Sequence, residues 1–167
     1  MTNISVRDAT RADINRIAGF QQAMAMETEG RTLDADTIRL GVTAVFDDPL
    51  KGFYIVAVAD EADGDAGGDS GDNGDTGKVV GSLLITYEWS DWSAATWWWI
   101  QSVYVDAAWR RKGIYRTLYE HILAMTDGRD DICGIRLYVE RTNTVAQQTY
   151  GALGMSHSHY DMYEIVF

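Results

Sequence analysis

The stretch RRKGIYR, residues 110–116, gathers four of the chain's 14 Lys and Arg into seven positions around one glycine. The protein as a whole carries a net charge of −11. The stretch follows an apolar, strand-like run, WWWIQSVYV, and leads into TLYEHILAM, which has helical spacing. A strand that turns through glycine into a helix presents unpaired backbone N–H groups at the positive end of the helix dipole, a seat for an anion. Gly113 lets the backbone approach a diphosphate without a Cβ in the way. Arg110, Arg111, Lys112 and Arg116 add cationic side chains on a surface that otherwise repels phosphate. A second chemical candidate lies some 30 residues on, in NTVAQQTYGALGM: a helix starting at Asn143 that carries the phenol of Tyr150.

The elements that must position these groups read as follows. Thr10 caps a helix over 11–25, with Ile14, Ile17, Ala18 and Met24 at helical spacing. METEGRTLDAD is a polar loop. Asp34 or Asp36 opens a second helix through Ile38, Val42, Val45 and Phe46, and DDPLKG is a turn. FYIVAVA, VVGSLLITYEW and TWWWIQSVYV are strands. A helix from about Gly113 to Met125 places Ile114, Leu118, Ile122 and Met125 on one face. ICGIRLYVE is a buried strand, NTVAQQTYGAL a short helix and HYDMYEIVF a last strand. The sum is a mixed α/β (α+β) chain, expected to be one domain over 1–167.

Residues 60–78, DEADGDAGGDSGDNGDTGK, hold no apolar side chain larger than Ala, a composition that predicts a disordered hairpin loop. The segment mimics three motifs and completes none. A phosphate loop would need Gly at Asp72 and Ser or Thr at Val79. An EF-hand from Asp63 would need Glu at Gly74, and GGDSGD places its last glycine one residue late for a calcium repeat.

Composition narrows the setting. The 25 acidic residues are 18 Asp and 7 Glu, against only 3 Lys, a balance expected of a protein dissolved in molar salt, where screening removes self-repulsion. Nucleic acid is an unsuitable partner for such a surface. The single cysteine, Cys133, excludes an internal disulfide and fits a reducing cytoplasm. No apolar run reaches the length of a membrane span and no export signal shows, so no membrane partner is expected. His157 and His159 lack a third ligand, and no metal is expected.

The two chemical segments together resemble the GNAT (GCN5-related N-acetyltransferase) family. Its first motif is Gln or Arg, two residues, Gly, any residue, then Gly or Ala. Arg110 and Gly113 match, and Tyr115 stands at the small position. In the second, Asn143, Ala146, Tyr150 and Gly154 match, with Met155 in place of an aromatic residue. The order of elements fits the family from about residue 3 onwards, with an acidic composition of haloarchaeal type.

The resemblance implies a mostly antiparallel sheet with two splayed central strands, flanked by about four helices, and acetyl-CoA as co-substrate. Its pantetheine arm would lie along Val103, Tyr104 and Val105, with the Val103 N–H facing the acetyl carbonyl. Its diphosphate would sit on Arg110, Arg111, Lys112, Gly113, Ile114, Tyr115 and Arg116, with Tyr115 turned into the domain. Asn143 would be a cofactor contact or a helix cap, and Tyr150 the acid that protonates the leaving thiolate.

The usual glutamate base of the family falls on Gln101, which cannot take a proton. Glu88, with Asp91 behind it, is the candidate in its place. Trp89 and Trp92 are candidate walls for the acceptor, and Glu27 and Glu29 suit a cationic amine. The expected activity is acetyl transfer to a primary amine of unspecified identity, and homodimers are common among such proteins. The alternatives are a catalytically silent acyl-CoA sensor and, more remotely, an unrelated nucleotide-phosphate enzyme.

Overall fold

The computed structural model describes residues 3–60 and 77–167. The acidic segment expected to form a loop at 60–78 lies, over 61–76, outside the described residues. Its two ends are strand, with Asp60 paired to Gly77.

The chain forms two compact units, Met1–Leu137 and Tyr138–Phe167. The first contains a five-stranded sheet: β1 (Ile4–Asp8), β2 (Phe53–Asp60), β3 (Gly77–Ser90), β4 (Ala95–Val105) and β5 (Ile132–Leu137), in spatial order β1-β2-β3-β4-β5. Successive pairs are antiparallel up to β4, and β4–β5 is parallel. A parallel neighbour needs a crossover, and helix α3 (Ile114–Thr126) supplies it.

Six consecutive residues of β2, Tyr54–Ala59, are buried, because helices cover the sheet on both sides. On one face α1 (Ile14–Glu29) and α2 (Ala35–Asp47) pack Ile17 and Val42 against Tyr54, Val56 and Val58. On the other, α3 sets Ile114, Leu118 and Ile122 over the alternate strand residues, Ile55, Leu83 and Ile85 among them. Each such side chain removed from water contributes about 1.5–3 kcal/mol before entropy is counted.

The helix starts follow from local chemistry. A 3-10 turn, Arg11–Asp13, leads into α1. The Asp13 carboxylate accepts the Thr10 backbone N–H at 2.7 Å, and Arg7 Nη1 donates to it at 2.8 Å. Asp34 caps α2 by accepting from the Thr37 backbone at 2.8 Å. Gly30 ends α1 in the left-handed conformation (φ +63°), four residues beyond the end the spacing predicts.

The second unit holds α4 (Thr144–Ala152) and an extended tail. The last strand expected over HYDMYEIVF does not form. The alternation of apolar residues is present, but a strand needs a ladder partner, and none exists for these residues among those described. Their large side chains stay exposed, Tyr163 and Phe167 among them.

Candidate active site

The first half of the site is a break in β4. Its ladder with β5 ends at Ile100↔Leu137, yet β4 continues to Val105. On the β3 side the register passes from Leu84↔Gln101 to Ser82↔Tyr104, so one residue of β3 faces two of β4, Ser102 and Val103. Ser102 sits at φ +51°, rare for a non-glycine residue. Ser102 and Val103 therefore have no paired position on either neighbouring strand, the pattern of a bulge. The bulge also puts Tyr104 on the same face as Gln101, toward α1.

The second half is the turn after β4. Asp106 caps a 3-10 turn, Ala107–Trp109, by accepting the Ala108 N–H at 3.1 Å. Its other carboxylate oxygen accepts from Arg16 Nη2 at 2.8 Å, so the acid that opens the basic loop is paired. Arg111 and Gly113 both adopt positive φ, +61° and +81°. A Cβ on Gly113 would meet nothing within 4 Å, so glycine is required there for backbone conformation and not for space. The α3 ladder begins with Thr117 N–H to Gly113 O at 3.0 Å. The N–H groups of Ile114, Tyr115 and Arg116 therefore have no acceptor within the helix.

The four cations of this stretch divide in two. Among the described residues Arg111 and Arg116 form no ion pair, and Lys112 lies over the Trp109 ring at 4.3 Å. Arg110 is turned away: its Nη2 donates to Glu27 Oε2 at 2.6 Å and its Nε to Val105 O at 2.9 Å. Ile114 is buried in the core, and Tyr115 is half-buried with its ring stacked on Tyr119 at 6.3 Å.

The expected base is also engaged. Glu88 Oε1 accepts from Arg136 Nη1 at 2.9 Å, and Oε2 accepts from the Trp99 indole N–H at 2.5 Å. The Arg136 guanidinium lies 3.8 Å from the Trp97 ring centroid. Gln101 donates to Thr86 Oγ1 at 2.5 Å. Thr86, Glu88, Trp97, Trp99, Gln101 and Tyr104 thus share the α1 face of the sheet. Trp89 and Trp92 stand exposed at the β3–β4 hairpin, and Trp98 is core, edge-on to Phe53 at 5.3 Å.

In the second unit, the Asn143 side chain caps α4, accepting from the Ala146 N–H at 3.1 Å. Tyr150, on α4, is half-buried, and burial pushes its phenol above the ordinary value.

Sequence reasoning missed Arg16, Arg136 and the clasp formed by Glu27. Arg136 had a legible signal, since strand alternation puts it on the face of Trp97 and Trp99 once parallel pairing is assumed. Arg16 had none, because its partner Asp106 is 90 residues away. At the opposite end of β4 a cavity of about 680 Å³ is lined by Phe46, Tyr54, Tyr87, Trp98 and Arg129, among others. Among the described residues no group of three or more His, Cys, Asp or Glu side chains could hold a metal ion.

Residues 47–155 match the model of the Acetyltransferase (GNAT) family, and the chain belongs to that family. It is similar over 98% of its length to a possible acetyltransferase from Clostridium difficile 630, with 40% identity, 97% of that chain covered and a TM-score of 0.83. It shares its fold with the ribosomal-protein-alanine N-acetyltransferase of Brucella melitensis biovar Abortus 2308, at 14% identity, with 99% and 100% of the two chains covered and a TM-score of 0.67. A transcriptional regulator from Bacillus halodurans C-125 has the same fold at 19% identity, with coverage of 98% and 100% and a TM-score of 0.72. No curated protein matches the chain.

Proposed function

We propose that the protein is an N-acetyltransferase that moves an acetyl group from acetyl-CoA to a primary amine by direct attack. The observation that carries this reading is the β4 bulge at Ser102–Val103 leading into the left-handed turn at Gly113, flanked by Arg111, Lys112 and Arg116, which form no ion pair among the described residues. Those residues fit a thioester joined to a diphosphate: main-chain donors for the arm, helix N–H groups and Arg111, Lys112 and Arg116 for the phosphates. Bound acetyl-CoA would supply an acyl group already activated as a thioester. The Val103 N–H would donate to the acyl oxygen as negative charge grows on it.

An alkylamine with pKa near 10.4 is neutral in only about one molecule in 2,500 at pH 7, roughly 4.6 kcal/mol of effective barrier. The proton would pass to Glu88 or through a water held near it. Arg136 and Trp99 each donate to one of its oxygens, so Glu88 would take the proton on a remaining lone pair or after one of those bonds opens. Tyr150 would protonate the departing thiolate. The same engagement of Glu88, with Gln101 tied to Thr86, favours the second reading, a silent acyl-CoA sensor.

Titration calorimetry with CoA, followed by an amine panel read by free thiol in molar KCl, separates these readings. Saturable CoA binding with thiol release for some amine is expected. Binding without release for any amine would favour the sensor, and no binding would defeat both. Tyr150→Phe should reduce turnover about 100-fold, the lower end of the range for general acid–base catalysis, with CoA affinity within about three-fold of the parent. Unchanged turnover removes Tyr150 from its role.

The remaining parts of the reading are a single functional domain, a cytoplasmic setting, adaptation to molar salt and an acceptor that is neither nucleic acid nor membrane. Among the described residues no helix is long and apolar enough to cross a membrane.

A further inference from the structure

Arg110 occupies the first position of the phosphate-binding motif, but its guanidinium is committed elsewhere. Nη2 donates to Glu27 Oε2 at 2.6 Å, Nε donates to Val105 O at 2.9 Å, and the group lies 5.3 Å from the Tyr104 ring centroid. The other oxygen of Glu27, Oε1, accepts the Tyr104 hydroxyl at 2.7 Å, and the Tyr104 ring packs on Phe20 at 5.1 Å. One carboxylate therefore takes a donor on each oxygen. One donor comes from the bulged end of β4 and the other from the start of the cofactor loop, while Glu27 belongs to the last turns of α1. A guanidinium turned toward a diphosphate would abandon Glu27 and the Val105 carbonyl together. Among the described residues Arg111 and Arg116 form no ion pair.

We propose that Arg110 is a positioning residue, clasped by Glu27 and Tyr104, that holds the cofactor loop and the end of β4 to helix α1 and does not itself contact phosphate. This rests on the acetyl-CoA reading above. The clasp orders the loop 106–113 before any ligand arrives, so its loss lowers affinity for every molecule that lies along β4, whether or not it bears phosphate.

CoA and pantetheine, which lacks the diphosphate, distinguish a clasp from a phosphate ligand. Arg110→Ala should weaken both about five-fold, the scale of one or two part-exposed hydrogen bonds, leaving their affinity ratio within about two-fold of the parent. Glu27→Ala should do the same, and the double variant should be no weaker than either single one. Arg111→Ala with Arg116→Ala should instead lower CoA affinity alone. A loss confined to CoA in Arg110→Ala overturns the clasp, and so does unchanged affinity for both ligands.

Amide hydrogen exchange of residues 106–113 without ligand supplies an independent arm. Both single variants should exchange faster there than the parent. Unchanged exchange defeats the clasp even if CoA binds. A parent protein that binds neither probe defeats the cofactor reading, while the exchange arm still decides the clasp.

Discussion

Asp13 shows how a single carboxylate can tie sequence neighbours into the fold. Its side chain is 7% exposed and is held by Arg7 Nη1 at 2.8 Å, Arg7 Nη2 at 3.2 Å and the Thr10 N–H at 2.7 Å. Burial works to raise its pKa, but the Arg7 and Thr10 hydrogen bonds with the Arg7 charge together hold it below the ordinary carboxylate value. A depressed folded-state pKa stabilises the fold fully above the unfolded value near 3.9, and that contribution is lost as pH falls through the folded value. Asp13→Asn should cost about 2–3 kcal/mol at pH 7, less than a fully buried pair because Arg7 is partly in water. The urea midpoints of parent and variant should converge as pH drops below about 4. A gap that stays constant from pH 7 to 3 contradicts this account. The Thr10 cap was legible from residue type and spacing alone. The Arg7 contribution was not, because nothing in the sequence says that β1 ends beside the helix start.

Among the elements, β4 and β5 frame the proposed site, and their pairing depends on Gly134. A Cβ there would come within 2.4 Å of Trp97 Cζ3 and 3.0 Å of Cε3. The register slips at this point, from Thr96↔Ile132 to Trp97↔Gly134. Gly134→Ala should displace the Trp97 ring and with it Arg136, stacked at 3.8 Å, at a cost of about 1–3 kcal/mol, the range for overpacking. Urea unfolding with tryptophan emission measures both effects, and an unshifted midpoint with parental emission contradicts the close approach. The strands and helices of this region were readable from periodicity, since apolar alternation and the 3.6-residue spacing of α3 are local properties. The β4 bulge was not, because SVYV alternates no differently from an unbroken strand. Only the unequal count of residues between paired positions on β3 and β4 reveals it.

For the molecule as a whole, surface charge outweighs any single contact. A net −11 opposes compaction in dilute buffer. In molar salt the Debye length falls to about 3 Å and that repulsion fades. Exposed pairs such as Arg11–Asp47 and Arg129–Asp131 weaken in the same salt, but each is worth at most about 1 kcal/mol. Repulsion spread over the whole surface exceeds them, so the melting temperature should rise by about 5 °C or more between 0.1 and 2 M KCl. A flat or falling trend in differential scanning calorimetry would rule out adaptation to salt.

By itself the sequence determined the element types as far as α4, the glycine turn, the two motifs and the family, since all depend on residue identity at short spacing; the last strand it also suggested does not form. It also determined the acidic, lysine-poor surface. Tertiary structure alone decided which groups are already spent. Glu27 takes Arg110 from 83 residues away, Arg136 takes Glu88 across 48, and Asp106 takes Arg16 across 90. Such pairings arise where the chain closes on itself, and a carboxylate's availability as a base depends on that closure, not on its letter in the chain.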